Sequence, residues 1–291
     1  MAENVEKLVQ EYRDGKITRR EFIQKAALLT GSLAVASDLL DSLIPPAAYA
    51  AQVDPNDPVL NSRSVEYPGK AGPVFGYLTR PKASGKFPAI IVIHQNTGLN
   101  DHIRDVARRF AKEGYAALAV DYLSRHGGTQ KANPEGKGLP NIRELAPAQA
   151  IIEDSDAGFA YLRSLPEVQA NRLGVVGFCW GGGMSFMVAT QVRGLTGAVV
   201  YYGASPNPLD LVKNMEASVL AHYGGEDPGI TKGVPATEEA MKKYNKSYSY
   251  KIYPGAKHAF NDDTNADRYH PEAAKEAWGR TLEFFKKQLQ S

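Results

Sequence analysis

A cysteine, an aspartate and a histidine lie at positions from which they could form a covalent catalyst. Cys179, the one cysteine of the chain, is in the middle of the run Gly-Phe-Cys-Trp-Gly at 177–181. Small residues on both sides are what a nucleophile elbow requires, because the central residue of that sharp strand-to-helix turn is strained. Asp227 and His258 follow, each soon after a further apolar run. These types and spacings predict an activated thiol supported by an acid and a base.

The chemistry predicted for this set is transfer of an acyl group from an ester to the thiol and then to water. His258 would remove or share the thiol proton, Asp227 would fix its tautomer, and the thiolate would attack the carbonyl. Backbone N–H groups of Trp180 and of the loop after the apolar run 89–94 would hold the oxyanion. The N-terminus of the helix that follows Cys179 favours the thiolate.

Two other interpretations of the cysteine motif are weaker. A lone cysteine is commonly a small buried apolar residue, and a glycine-rich turn after a strand can hold phosphate. The run 177–183 has neither the Lys-Ser/Thr of a P-loop nor the G-x-G-x-x-G of a dinucleotide site. We therefore retain the nucleophile, with an inert cysteine in a plain strand–helix turn as its alternative.

Six histidines compete for the role of base: His94, His102, His126, His222, His258 and His270. We favour His258, because it follows the last predicted strand. His222 lies inside a strand and is expected to be a satisfied buried imidazole. His102 and His270 are expected on solvated helix surfaces. His126 lies in a long loop and is a candidate for substrate contact.

For the acid, Glu226 is the direct rival of Asp227. Both residues follow the apolar run 219–223 and a glycine turn, at the carboxyl end of a predicted strand. Catalytic and binding groups of parallel sheets collect at that edge. Asp262 and Asp263 come after the histidine and are expected to face water.

Short apolar runs alternate with segments of helical periodicity, which is typical of a parallel sheet with helices on both faces. Residues 62–67 and 74–80 are predicted as an antiparallel pair at the sheet edge. The predicted core strands are 89–94, 116–121, 173–178, 197–202, 219–223 and 248–253, and the predicted helices are near 101–113, 148–164, 181–192, 235–246 and 271–289. Residues 124–144 lack periodicity and are predicted as a long surface loop bordering the site. With the order nucleophile, acid, base, the pattern predicts the α/β-hydrolase fold.

Composition excludes several classes of protein. The formal net charge is +2 with no long basic run, so no nucleic-acid partner is predicted. A single cysteine excludes an intrachain disulfide and a cysteine-rich zinc site. No H-E-x-x-H motif occurs, which argues against a metal mechanism. We predict an enzyme that needs neither metal nor cofactor, acts on a small molecule, and is a monomer or weak homodimer.

The beginning of the chain has the pattern of an export leader. Paired arginines at 19–20 precede an apolar stretch at 26–36, and Ala-Tyr-Ala at 48–50 supplies an A-x-A processing site. The apolar stretch is shorter than the roughly 20 residues of a membrane span, so no stable span is predicted. We predict export by the twin-arginine route with a mature start at Ala51. The alternative is a cytoplasmic protein whose leader is a helical extension.

Three segments are therefore predicted along the chain. The leader covers 1–50, a linker rich in Pro and Asp covers 51–61, and the catalytic domain covers 62–291. An exported protein of this kind would act in the periplasm or outside the cell.

The chain from about residue 62 to 290 resembles the dienelactone hydrolases, cysteine α/β-hydrolases that act on small lactones. The resemblance is carried by Gly-Phe-Cys-Trp-Gly-Gly-Gly at 177–183, Tyr-Gly-Gly-Glu-Asp at 223–227, Tyr-Pro-Gly-Ala-Lys-His-Ala-Phe at 253–260 and His-Gln-Asn-Thr-Gly-Leu-Asn at 94–100. It implies that Cys179, Asp227 and His258 are the triad. It also implies that the backbone N–H groups of Asn96 and Trp180 form the oxyanion hole, and the leader resembles that of a secreted bacterial subgroup.

Two departures from the family pattern concern activation and substrate. Gln95 stands where family members have a glutamate that receives the thiol proton, and an amide cannot accept a proton. We therefore expect Gln95 to tune the thiol only by hydrogen bonding, and Cys179 to pair directly with His258. The substrate-binding arginine expected after the histidine is replaced by Asn-Asp-Asp at 261–263. Dienelactone itself is then not the expected substrate, unless another arginine, such as Arg125 or Arg143, takes that place.

The sequence thus predicts a hydrolase that cleaves a small ester or lactone through a thioacyl intermediate. A broad carboxylesterase or thioesterase on the same fold is the nearest alternative. A binding protein or a Cys179 redox sensor is a further one, against which the intact elbow, acid and base argue.

Overall fold

The computed structural model describes Val5, Lys7, Leu8, Glu11, Ile17, residues 19–30 and residues 51–290. Its contacts divide the chain into two compact units, Met1–Ala50 and Ala51–Ser291. In the first unit, helix α1 (Arg19–Thr30) begins at the paired arginines, whereas the Ala-Tyr-Ala sequence at 48–50 lies outside the described residues. Among the residues described, no helix has the length and apolar character needed to cross a bilayer.

The second unit is built on one eight-stranded sheet with the order β1-β2-β4-β3-β5-β6-β7-β8. β2 is antiparallel to both of its neighbours, β1 and β4, and the other pairs are parallel. The strands are β1 (Leu60–Gly69), β2 (Gly72–Pro81), β3 (Phe87–Ile93), β4 (Ala116–Asp121), β5 (Val168–Phe178), β6 (Gly197–Tyr201), β7 (Ser218–Gly224) and β8 (Tyr248–Tyr253). The predicted, mostly parallel sheet of an α/β-hydrolase is confirmed.

Helices cover both faces of this sheet. The long helices are α2 (Asp101–Lys112), α3 (Ala148–Ser164), α4 (Trp180–Gln191), α5 (Val234–Lys243) and α6 (Pro271–Leu289). Apolar residues of α2 and α6 join one hydrophobic core, and those of α3, α4 and α5 join the other. Alternate side chains of β3 show why its apolar run is continuous: Ile91 packs in one core and Ile90 in the other.

The predicted bounds agree closely for some strands and less well for others. The bounds of β4 and β8 coincide with the prediction. β5 begins five residues earlier than expected, at Val168, because its first residue pairs with Phe87 across a register shift in β3. β1 begins at Leu60, inside the predicted linker. Earlier in that segment, the N–H of Val53 donates to the Asp105 carboxylate of α2 at 2.9 Å, so the segment packs on the domain.

The 124–144 segment is more regular than its sequence predicts. It contains three short helical turns, Ser124–His126, Thr129–Ala132 and Ile142–Leu145. The carboxylate of Asp121, at the end of β4, accepts hydrogen bonds from the N–H and the hydroxyl of Thr129, both at 2.7 Å. A buried charge-assisted anchor of this kind holds the segment over the carboxyl edge of the sheet.

Helix α4 approaches the end of β6 so closely that only glycine fits on both sides. A Cβ added to Gly182 would overlap the carbonyl oxygen of Tyr201, and one added to Gly203 would overlap the backbone of Gly182. The contact brings the first turn of α4 against the segment after β6. It therefore fixes where the helix begins.

This contact generates a stability prediction. Gly203→Ala should lower the free energy of unfolding by about 1–3 kcal/mol, because the added methyl group has no room. Gly279→Ala is the matched control: Gly279 lies exposed in α6, and its added Cβ meets nothing within 4 Å. There the same substitution should raise stability by about 0.5–1 kcal/mol, since alanine favours helix. Urea unfolding of the two variants checks both signs, and equal effects would contradict the packing argument.

Candidate active site

Cys179 lies on the turn between β5 and α4 with backbone angles of φ 59° and ψ −121°. A positive φ is unfavourable for a residue with a side chain, so the surrounding backbone must hold it. A Cβ on Gly177 would overlap the Gly181 carbonyl, and a Cβ on Gly181 would overlap the carbonyls that end β3. The N–H of Cys179 donates to the Tyr201 carbonyl at 3.1 Å. The turn therefore has the geometry predicted for a nucleophile elbow.

The predicted acid and base are brought to the thiol. Nε2 of His258 lies 3.1 Å from Sγ of Cys179, and Nδ1 of the same ring lies 2.5 Å from Oδ2 of Asp227. Asp227 follows β7, and His258 follows β8. Because the carboxyl ends of parallel strands meet at one sheet edge, residues 48 and 31 positions apart in sequence come together there.

The environment of His258 favours its charged form. Burial is the largest single influence and acts to lower its pKa, but hydrogen bonds and charge from Cys179 and Asp227 together raise the pKa above its ordinary value. Since a carboxylate can only accept, Nδ1–H donates to Asp227. Nε2 then faces the sulfur, where it can take the thiol proton or, as imidazolium, donate to the thiolate.

The loop after β3 carries the first predicted oxyanion donor, Asn96, and a buried histidine anchors it. Nδ1–H of His94 donates to the Gln95 carbonyl at 2.6 Å, while Nε2 accepts from the N–H of Tyr122 at 3.2 Å. These partners require neutral imidazole, and burial lowers the pKa of His94 accordingly. The ring also stacks on Trp180, the second predicted donor, at 5.6 Å. Sequence reasoning did not assign His94 this role.

A cavity of about 300 Å³ opens beside Cys179 and His258. Its walls are mainly apolar, with Leu139, Ile142, Met184 and Ile230 among them. Leu139 and Ile142 belong to the 124–144 segment, as the prediction that this segment borders the site requires. The N–H of Leu139 donates to the Asn96 carbonyl at 3.0 Å, which ties the segment to the loop after β3.

Of the two arginines proposed to meet a substrate carboxylate, only Arg143 lines this cavity. Arg125 is bound elsewhere: its guanidinium pairs with Asp154 at 2.8 Å and with Glu153 at 3.1 Å. Arg143 is exposed on the turn at the cavity mouth.

Gln95 contacts a partner that the sequence did not predict. Its amide Nε2 donates to Oδ2 of Asp262 at 2.7 Å, and both side chains are buried. We expected Gln95 to tune the thiol by hydrogen bonding, and we expected Asp262 to face water. The expectation for Asp262 is wrong, because the chain after His258 turns inward and not outward.

The expected exposure of His102 is also wrong, and Asp263 is only partly exposed. His102 is buried, and its Nδ1 lies 3.1 Å from Oδ1 of Asp263, whose other oxygen pairs with Arg109 at 2.8 Å. Burial, the largest influence, acts to raise the pKa of Asp263, but the His102 hydrogen bond and the Arg109 charge lower it to about 2. Polar side chains of helix α2 therefore face the loop after β8. The helical periodicity of its sequence did not predict this contact.

His102, Asp262 and Asp263 place potential ligand atoms within 4.8 Å of one another. Donors already occupy these carboxylates: Asp262 accepts from Gln95, and Asp263 accepts from His102 and Arg109. The guanidinium supplies the positive charge that a cation would bring. The cluster is explained as an ion-pair network.

The other candidates for the acid, the base and the substrate contact lie away from the thiol or are already bonded to other groups. Glu226 is exposed. His222 is the satisfied buried imidazole that was predicted, with Tyr253 and Thr281 hydroxyls each 3.0 Å from a ring nitrogen, and burial lowers its pKa to about 3. His126, predicted near the substrate, is instead exposed and bonds to the Leu145 carbonyl at 2.8 Å, and it is not part of the cavity wall.

Tyr202 is a further residue of the site that the sequence did not single out. Its ring lies 5.2 Å from that of His258, and it contributes to the cavity wall. The hydroxyl is buried and has no hydrogen-bond partner among the described residues. Burial raises the pKa of this phenol well above its ordinary value, so it stays protonated.

The chain is similar to known proteins over most of its length. The model of the dienelactone hydrolase family matches residues 74–289. A Saccharolobus solfataricus protein assigned as a carboxymethylenebutenolidase is 35% identical over 233 residues, which is 68% of this chain and 89% of that protein. A Bradyrhizobium protein assigned as a 2-oxo-3-(5-oxofuran-2-ylidene)propanoate lactonase is 36% identical over 216 residues, 71% of this chain and 86% of that one.

The fold comparison agrees with the sequence comparison. The crystal structure of a protein from Klebsiella pneumoniae, assigned as a dienelactone hydrolase, superposes with a TM-score of 0.72 at 32% identity. The match covers 78% of this chain and 99% of that one. The family model, the relatives and the sheet order lead to one conclusion. The chain is a hydrolase and belongs to the dienelactone hydrolase family.

Proposed function

We propose that the protein hydrolyses small esters or lactones, with Cys179 as nucleophile, His258 as base and Asp227 as the acid that orients it. The observation that carries this proposal is the 3.1 Å contact between the histidine and the thiol, made on a strained turn at the wall of a cavity. Relatives assigned as lactonases support the class of substrate. Mainly apolar walls support a small, largely apolar acyl group.

The first half of the reaction forms a thioester. The Cys179 proton passes to Nε2 of His258, and the thiolate attacks the carbonyl carbon. The N–H groups of Asn96 and Trp180 donate to the negative oxygen, because preorganised donors stabilise the charge that develops in the transition state. When the C–O bond breaks, the leaving oxygen takes the proton from the imidazolium. A lactone opens at this step, and its hydroxyl stays attached to the acyl chain.

The second half releases the acid. His258 removes a proton from water as the water attacks the thioester, and the resulting tetrahedral intermediate expels the thiolate. The proton stays on the imidazolium beside the expelled thiolate, which restores the starting ion pair, so that neither metal nor cofactor enters the balance. Asp227 holds the imidazole in the tautomer that faces the sulfur throughout, by accepting from Nδ1–H.

We further propose that the thiol is activated before substrate binds. The amide of Gln95 is engaged by Asp262 at 2.7 Å, so His258 is left as the proton acceptor at the sulfur. The raised pKa of His258 favours an imidazolium beside a thiolate. The N-terminus of α4 adds a positive partial charge below the sulfur.

Substitutions in the triad should separate catalysis from folding. Cys179→Ala should reduce hydrolysis of p-nitrophenyl acetate to background, and Asp227→Asn should lower kcat by about 10²–10⁴, because the imidazole loses its fixed tautomer. Glu226→Gln is the matched control, since the neighbouring acid is exposed, and its kcat should stay within about twofold of that of the parent. Initial rates and thermal unfolding of all three variants check this. Undiminished turnover by Cys179→Ala would refute the proposed nucleophile.

The pH dependence of alkylation should reveal the resting thiolate. With iodoacetamide, the rate for Cys179 should reach its plateau well below pH 8.5, about where a free thiol ionises. His258→Ala should move the profile up toward that of a free thiol, because the imidazolium partner is lost. Loss of Cys179 by mass spectrometry at each pH gives the rates. A parent profile that rises through about pH 8.5 like that of a free thiol would contradict activation before binding.

We also propose that residues 1–50 direct export by the twin-arginine route. When the full chain is expressed in a bacterium with this route, the periplasmic protein should have Ala51 as its first residue. Replacing both Arg19 and Arg20 by Lys should retain the chain in the cytoplasm at full length, because the route reads the arginine pair. Intact mass and fractionation test both. Equal export of the two chains would overturn the proposal.

A further inference from the structure

One buried hydrogen bond joins the two loops that carry catalytic groups on opposite sides of Cys179. Gln95 directly precedes Asn96 in the loop after β3, and Asp262 follows His258 by four residues in the loop after β8. Nε2 of Gln95 donates to Oδ2 of Asp262 at 2.7 Å, across 167 positions of sequence. The two residues are 5% and 8% exposed, so water has little access to this bond.

Each end of the bridge is itself fixed. The Gln95 carbonyl accepts from the ring of His94 at 2.6 Å and from the N–H of Gly98 at 3.2 Å. The other carboxylate oxygen of Asp262 accepts from the N–H and hydroxyl of Thr264 at 3.0 and 2.5 Å. The Asp262 side chain therefore cannot swing away without breaking further bonds, and the Gln95 backbone cannot shift without breaking its own. A shift of one loop is transmitted to the other.

We propose that Gln95 and Asp262 are positioning residues. They hold the loop after β3 (the oxyanion loop, which carries Asn96) and the loop after β8 (the histidine loop, which carries His258) in register across Cys179. This inference rests on the proposed function. In each tetrahedral intermediate the Asn96 N–H must meet the oxyanion while the imidazole meets the sulfur or the leaving oxygen. A misplacement of about 1 Å between such groups can cost about 10²-fold in rate. A buried, charge-assisted bond is suited to prevent it.

The donor and the acceptor of this bridge can be exchanged by substitution. An amide at 95 donates to a carboxylate at 262, and two carboxylates would repel or compete for one proton. Gln95→Glu and Asp262→Asn preserve the shapes of both side chains. Each single substitution removes the charge-assisted bond. The double variant restores it in the opposite sense, with Asn at 262 donating to Glu at 95.

A double-mutant cycle tests the bridge with p-nitrophenyl acetate as substrate. Gln95→Glu should lower kcat at least tenfold, and Asp262→Asn should lower it by a smaller factor, since a neutral amide pair can still form. The double variant should regain at least tenfold over Gln95→Glu, with KM changing less than threefold throughout. A merely structural role would restore melting temperature without restoring kcat, so both are measured.

The outcomes are distinct. Recovery of kcat in the double variant supports the bridge. Additive losses in kcat, or a double variant that regains its melting temperature alone, overturn it. If Cys179→Ala still turns over the substrate, the proposed function fails. If Cys179→Ala is inactive and the cycle is additive, only the bridge fails.

Discussion

The structure depends on one constraint, the positive φ of Cys179. A side chain in that conformation costs on the order of 1–3 kcal/mol, and it persists only where neighbouring backbone leaves no alternative. Here glycines at 177 and 181 admit the carbonyls around the turn, and the Gly182–Gly203 contact sets the start of α4. The thiol is thereby held between the end of β5 and the N-terminal end of α4. Both the helix N-terminus and His258 can reach it there.

Around this turn, hydrogen bonds fix the positions of the loops that steric contacts alone would leave free to move. His94 ties the oxyanion loop to the end of β4 and stacks on Trp180. Asp121 holds the 124–144 segment through Thr129. On the far side, Asp263 lies in the loop after β8 and pairs with His102 and Arg109 of α2, which joins that loop to the helix. Most of these groups are buried, so removing one partner would leave a charge or a donor without its hydrogen bond. The site is therefore supported from three directions.

Charge is distributed unevenly around the nucleophile. The Asp227 carboxylate lies behind His258, whereas the cavity beside Cys179 has mainly apolar walls and one guanidinium among its lining residues, that of Arg143. Asp227 and Cys179 together raise the pKa of His258, which keeps this residue ready to carry a proton. An apolar cavity excludes water and strengthens the hydrogen bonds that an oxyanion would receive. In the mechanism that we propose, this division of labour serves the formation of a covalent acyl intermediate.

The sequence by itself determined the strands, their order along the chain and the three residues that meet at the elbow. Those features depend on local pattern: continuous apolar runs mark buried strands, and glycines mark a strained turn. It did not predict the burial of Asp262, the ion pairs of Asp263 or the partner of Gln95. Only the tertiary structure decided these, because a polar residue gives the same local signal whether it faces water or a buried partner. The Gln95–Asp262 bond spans 167 positions, and its partners meet only because the two strand ends that carry them lie at one edge of the folded sheet.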